Sequence, residues 1–454
     1  MSLPWIPPRQ RSVLSRAVAR WRAGNYDATL DALRDESGNG LNARLGSAVG
    51  ADTNDPLRLP FTGKKVYFPG SSGNTISTPN SAAFPTSSHA FVTKIAAADY
   101  TPGTAQSLVS KWAAGQRSIA FDIQTTGFLT FYRTSNGNTS IPYSGTTSLT
   151  TVATDGADIW LAYDYTQNAG GGNSTVNFYT STDGINWVQL GATVTVADVT
   201  GIFNSTTAVH LGATDAGAGN FFTGSIYYAQ FRSSLAGAAS FTLDASLLSE
   251  PYATHTDAQG NVWTLNRSTS GRKLCVVDRD LLLLGTDDYL EVADSPLLDF
   301  ASGEAMTAVC AMRRYGGTPA ASMGLVVKQS QFSGAAVGWN LQWALDGKIY
   351  TDSSDGTNRS LVSNTQPAAG VSALVAAVRS APSVKAYSNP LSVNATAANI
   401  SGSLANALPL RIGAHSNVTP GSFFEGEIIS AAVFREPLSM ADLYRLAREM
   451  GVAS

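Results

Sequence analysis

GNFFTGSIYYAQF, Gly219 to Phe231, and GSFFEGEIISAAVF, Gly421 to Phe434, say nearly the same thing twice. Each follows a Gly-Ala pair, Gly212-Ala213 in one copy and Gly413-Ala414 in the other. Each runs through paired phenylalanines and a glycine into an apolar strand that ends on phenylalanine. A fixed-order repeat of this size marks two copies of one folding unit.

Other landmarks recur upstream in the same order. Asp35–Asn39 and Asp257–Asn261 both spell Asp-x-x-Gly-Asn. VYFPG (Val66–Gly70) answers LLLLG (Leu281–Gly285), and FVTKIAAADY (Phe91–Tyr100) answers MTAVCAMRRY (Met306–Tyr315). LVSK (Leu108–Lys111) then matches LVVK (Leu325–Lys328). The spacing drifts as loop insertions and deletions make it drift when strands are retained.

Between the landmarks lie short apolar or alternating runs with turn signals roughly every 8–12 residues, the pattern of an all-β antiparallel sandwich. Hairpins are expected over Ser118–Ser135 and over Gly338–Ser354, the latter turning at Asp346-Gly347. Further pairs are expected between Trp160–Tyr165 and Val176–Gly191, and between Leu374–Arg379 and Val384–Ser388. Helix is expected only at the ends. Arg9–Ala23 has apolar residues at helical spacing, and Ser439–Met450 has a serine N-cap, Asp442 in its first turn and an apolar stripe. The expected division is a basic arm over 1–25, a first sandwich over 26–250 and a second sandwich with its C-terminal helix over 251–454. A connector near Leu247–Thr256 holds Pro251.

The chain has 454 residues, enough for two or three cores. Charged residues make up only 14% against a usual share of about a quarter, and the net charge is −3. That balance gives no reason to bind nucleic acid or an anionic membrane. No apolar run is long enough to span a bilayer, and the arginines near the N-terminus leave no room for a secretory h-region. Cys275 and Cys310 sit in apolar runs and are expected to be buried free thiols.

Catalytic motifs are missing. The histidines, His89, His210, His255 and His415, are scattered without metal-ligand spacing, and no nucleophile elbow or phosphate loop occurs. Glu425 and Glu427 alternate on one strand as a glycosidase pair would, but the first copy has Thr223 and Ser225 there. Solvated strand residues are the expectation, and no enzyme activity. Ser181–Trp187 looks like the Asp-box hairpin of sialidases, which is a structural turn. Asp52, Asp55, Asp155, Asp158, Asp215, Asp287 and Asp288 stand in oxygen-rich loops that suit calcium, though without a regular ligand spacing. No cofactor is expected, and calcium stays a candidate.

Two features point to binding. Trp112, Tyr132, Tyr143, Trp160, Tyr163, Tyr165, Trp339 and Trp343 crowd the middle strands. Most are expected to pack the cores, with Trp112 and Trp160 kept as candidate sugar platforms. The N-terminal arm carries Arg9, Arg11, Arg16, Arg20 and Arg22 with no acid, interleaved with Trp5 and Trp21. Docking onto a partner protein is the expectation, with Trp5, Arg9, Arg11, Arg16, Arg20, Trp21 and Arg22 as anchors.

The runs DESGNGLNARLGSAVGADTNDPLRLPFTGKKVYFPGSSGNTISTP (Asp35–Pro79) and VVDRDLLLLGTDDYLEVADSPLLDF (Val276–Phe300) resemble the laminin G-like, concanavalin A-like jelly-roll domains of actinobacteriophage minor tail proteins. The resemblance covers most of the chain from Asp35 onward, and the family's calcium site does not map onto it. It implies tandem two-sheet sandwiches and a virion structural role, in many copies on the particle after synthesis in the host cytoplasm. The implied partners are other virion proteins, of tail or capsid, and host-surface glycans. A capsid decoration or head fibre, a carbohydrate-binding module and a polysaccharide-degrading enzyme are the alternatives.

Overall fold

The protein is described by a computed structural model over residues 12–315, 319, 321–331, 336–388, 392–397 and 400–452. Among the described residues it is nearly all-β, with four antiparallel sheets and one α-helix. The chain forms two compact units, each a pair of sheets around its own core. Their boundaries differ from the expected ones. A central unit comprises 61–269 and 273–279; a flanking unit comprises the chain up to Pro60 together with 270–272 and 280–454. The expected connector Leu247–Thr256 runs inside the central unit, between strands Ala239–Asp244 and Val262–Asn266.

In the central unit one sheet is built around His89–Ala97, Ile159–Gly170 and Thr223–Arg232. The facing sheet runs, in spatial order, Ser140–Ser148, Phe128–Thr134, Ile119–Ile123, Gln106–Lys111, Val209–Leu211, Thr75–Thr78, Val262–Asn266 and Thr254–Thr256. Alternation places Ile119, Phe121 and Ile123 in the core, with Phe131, Val109, Leu211 and Ile76 from neighbouring strands. The expected hairpins all form. Gly127 and Gly347 sit at φ +75° and +83°, the conformation their turns demand. In the flanking unit Gly426–Phe434 and Met306–Arg314 take the places of Thr223–Arg232 and His89–Ala97.

The N-terminal segment is the main correction. Of the expected helix Arg9–Ala23, the part from Ser12 onward is not helical: a 3-10 turn spans Val13–Arg16, and Ala19–Arg22 is a strand on Gly426–Phe434, while Arg9–Arg11 lie outside the described residues. The period-two pattern prevails because the sheet offers unpaired backbone. Ala19 and Trp21 then point into the core, while Arg20 and Arg22 point out and both pair with Glu36. Trp21 is 1% exposed, and its Nε1 donates to the Leu41 carbonyl at 2.6 Å. Trp21 therefore belongs to the core and cannot serve as a surface anchor.

The C-terminal helix, Met440–Glu449, forms as expected, with a capping box between Ser439 and Asp442. Its Leu443, Leu446 and Ala447 bury against Val13, Leu14 and Ala17. The Glu449 carboxylate accepts bonds from the Val13 and Leu14 amides and from the Ser12 hydroxyl. Cys275 and Cys310 are buried, one in each unit.

Both units take up an Asp-x-x-Gly-Asn turn in the same way. Asp35 accepts from the Arg20 amide at 3.0 Å and the Ser37 amide at 2.9 Å. Asp257 accepts from the Thr242 amide at 2.9 Å and the Gln259 amide at 3.0 Å. In each case the carboxylate locks a turn to the strand that docks beside the closing strand.

Candidate functional site

The outward face of the central unit's second sheet carries one unusual row. Cross-strand register aligns Tyr132, Ala120, Ser110, His210, Ser77 and Thr264. Apart from Tyr132 and His210 these are small side chains; Ala120 and Ser110 are buried, and the Ser110 hydroxyl donates to the Ala213 carbonyl at 2.7 Å. Trp112 follows Ser110 by two positions and so shares its face. Its ring meets Tyr132 edge-on, with centroids 6.3 Å apart, and the Arg117 guanidinium lies 5.4 Å from the indole. Both aromatic rings are half-buried.

A short loop, residues 214–220, closes one side of this face. It is tied down by the Ala216 amide to the Trp112 carbonyl at 2.7 Å and by the Ser107 amide to the Asn220 carbonyl at 2.8 Å. Asp215, Ala216 and Asn220 adopt positive φ to make the bend. Beneath it sits Asp122, 3% exposed, whose Oδ2 accepts from the Asn220 amide group at 3.3 Å. Its Oδ1 and the Nδ1 of buried His210 have no hydrogen-bond partner. Burial pushes the Asp122 carboxyl up to about 7 and moves His210 down, so both groups favour their neutral forms.

The corresponding row of the flanking unit is filled differently. There the register aligns Asp352, Asn340, Val327, Arg411, Glu291 and Arg44. Glu291 bridges Arg44 at 2.8 Å and Arg411 at 2.9 Å, and Asp352 pairs with Arg359 at 2.7 Å. Long, mutually satisfied ion pairs thus cover the face that the central unit leaves to small residues. Gln329 takes the place of Trp112 and is buried.

The two candidate platforms are not brought together. Trp160 lies on the central unit's other sheet, outward and half-buried, 5.4 Å from the Tyr228 ring. It packs under the Asp183-Gly184 turn rather than facing open solvent. That turn is structural: Asp183 accepts from the Ile185 and Asn186 amides, both at 2.8 Å, and these bonds hold its carboxyl well below the usual range. Tyr143, Tyr163, Tyr165, Trp339 and Trp343 are core residues.

Among the anchor residues, Arg16 bridges Glu436 and Asp442, and Arg20 and Arg22 pair with Glu36. These three close contacts within the flanking unit. Trp5, Arg9 and Arg11 lie outside the described residues. Glu427 is buried, pairs with Arg313 at 3.0 Å and accepts from the Tyr315 hydroxyl, while Glu425 accepts from the Gly271 amide. Of these two carboxylates, then, one is neutralised in the interior and the other closes a turn, an arrangement unlike an open acid–base pair.

Among the described residues no group of three or more His, Cys, Asp or Glu could hold a metal ion. Asp52 caps the Ser47, Ala48 and Asn54 amides, Asp155 accepts from the Tyr100 amide, and Asp158 and Asp288 pair with Lys94 and Arg272. Among the described residues no helix is long and apolar enough to cross a membrane. Sequence reasoning picked out Trp112 but missed the small-residue row, because its members come from six strands and only the register unites them.

Residues 284–443 match the family model described as the concanavalin A-like lectin/glucanases superfamily. No match is found among curated proteins. Among solved structures, domains LG4-5 of the mouse laminin alpha1 chain are 14% identical, with 85% of this chain and 90% of that chain covered and a TM-score of 0.31. The CBM40 of the Ruminococcus gnavus IT-sialidase, bound to alpha2,3 sialyllactose, is 18% identical over 32% of this chain and 83% of that one, with a TM-score of 0.27. The binding domain of Botulinum neurotoxin DC is 14% identical over 95% and 97%, with a TM-score of 0.26. The family match covers residues 284–443, and the paired antiparallel sheets recur in both units, a laminin G-like, concanavalin A-like jelly-roll fold.

Proposed function

We propose that the chain is a non-enzymatic structural protein of a phage virion whose central unit holds neutral host-surface saccharide. The carrying observation is the contrast between the two outward rows: charged and self-satisfied in the flanking unit, small and neutral beside Trp112 and Tyr132 in the central one. Sugar rings stack on aromatic faces through their C–H groups and use hydroxyls against polar side chains, and the part-exposed Ser77 and Thr264 stand on the same row. The virion setting and a tail location rest on the sequence resemblance. Attachment falls to the segment before Ser12, where Trp5, Arg9 and Arg11 stand.

Two measurements test this reading. The full chain is applied to a glycan array, alone and as Trp112→Ala. Retention of a neutral glycan, weakened about tenfold or more in the variant while unfolding is unchanged, is expected. Absence of any retained glycan at millimolar concentration removes the adhesive role. Peptides of the chain should also be found by mass spectrometry in purified particles, and their absence there removes the virion role.

A further inference from the structure

The strands of the chain fall into four segments in order: 19–59, 65–232, 239–277 and 281–434. The two short segments dock in the same way on the two long ones. Ala19 and Trp21 face Val433 and Ala431, as Phe241 and Leu243 face Phe231 and Ala229. Leu45 faces Leu290, as Leu265 faces Ile76. Leu57 and Arg58 face Leu283 and Leu282, as Cys275 and Val276 face Tyr67 and Val66. The Asp35 and Asp257 turns add the same hydrogen bond to the docking strand. All three docking strands thus keep one register in both units, yet 19–59 completes 281–434 while 239–277 completes 65–232.

Four such segments admit a second complete pairing. In it each short segment docks on the long one that follows it directly, through connectors 60–64 and 278–280. At five and three residues, these have ordinary hairpin-loop lengths. We propose that residues 19–59 are a transferable donor segment: they dock first on 65–232, are displaced by 239–277, and pass to 281–434. The order of synthesis favours the first docking, since 65–232 is the earlier available acceptor. Core volume drives the transfer. Ala43 and Ala19 stand where the other short segment has Trp263 and Phe241, all four buried. With 19–59 in place the central core keeps a cavity at the Trp263 site, and with 239–277 in place the flanking core is overfilled at the Ala43 site.

Paired cysteines distinguish the two pairings, because directly opposed antiparallel residues lie within disulfide reach. Arg22 faces Ser430 in the structure, and its counterpart Asp244 faces Tyr228. Full-length Arg22→Cys/Ser430→Cys and Arg22→Cys/Tyr228→Cys chains are unfolded with reductant, diluted to refold, and pulsed with oxidant at successive times. The 22–228 crosslink is expected early within single chains, falling to background once folding is complete as the 22–430 crosslink rises. Adding Trp263→Ala to the 22/228 chain weakens the displacing segment, so its late crosslink should rise severalfold. That second variant also guards against a folding defect from Tyr228→Cys alone. Absence of the 22–228 crosslink at every time, its formation only between chains, or no response to Trp263→Ala overturns the transfer.

Discussion

Replacing Trp21 by alanine separates a fold component from a free arm. The indole is 1% exposed among Leu33, Ala43, Leu45 and Ala431. Truncating a buried tryptophan costs about 3–5 kcal/mol through lost transfer energy and the cavity left behind. The Leu41 carbonyl also loses its donor, worth about 1 kcal/mol if water replaces it incompletely. A total near 5 kcal/mol, with a denaturant slope of about 3 kcal/mol/M, lowers the urea midpoint of the flanking unit by about 1.7 M. Two units require a readout specific to each, so hydrogen exchange followed by mass spectrometry is the assay. Peptides from 281–434 should lose protection at the lower urea concentration, and peptides from 65–232 should not. A midpoint that moves by less than about 0.3 M, with protection over 281–434 intact, would refute the placement of Ala19–Arg22 in the sheet.

Two further outcomes are expected. Gly184 holds φ +75°, and a Cβ there would lie 2.7 Å from Trp160 Cε2; Gly184→Ala should cost about 2 kcal/mol and lower the central unit's Tm by about 4–8 °C, against no shift if the turn stands clear of the indole. Asp122 binds its proton more tightly folded than unfolded, so its contribution to stability is full below about pH 4 and declines as pH rises to about 7. Asp122→Asn should flatten that part of the central unit's stability profile, and an unchanged slope would show that the carboxyl is not held neutral.

The repeat made two sandwiches legible, and the hairpin turns, the capped terminal helix and the buried cysteines could all be read locally. What escaped were properties of partnership. Arg9–Ala23 fits a helix by spacing and a strand by alternation, and only an unpaired edge beside Gly426–Phe434 decides between them. Phe241 and Trp263 look like ordinary strand residues, and no local signal tells that they complete the sandwich that precedes them. Of the face beside Trp112, the aromatic residues stood out, while Ala120, Ser110 and Ser77 are unremarkable until register lines them up. The ion pairs of Arg16, Arg20 and Arg22 were out of reach for a related reason: their acidic partners Glu36, Glu436 and Asp442 include two from the far end of the chain.

The phase difference between repeat and fold bears on how such genes can be reshuffled. The duplicated stretch runs from one Asp-x-x-Gly-Asn turn toward the next, whereas a complete sandwich runs from residue 61 to residue 279, save for 270–272. A recombination crossover between residues 232 and 239, where the repeats abut, would hand a recipient gene a sandwich stripped of its docking strands. Crossovers at 60/61 and 279/280 would transplant one that carries its own. Natural exchange of modules among genes of this architecture should therefore leave its breakpoints in the connectors 60–64 and 278–280, and not at the seam of the duplication.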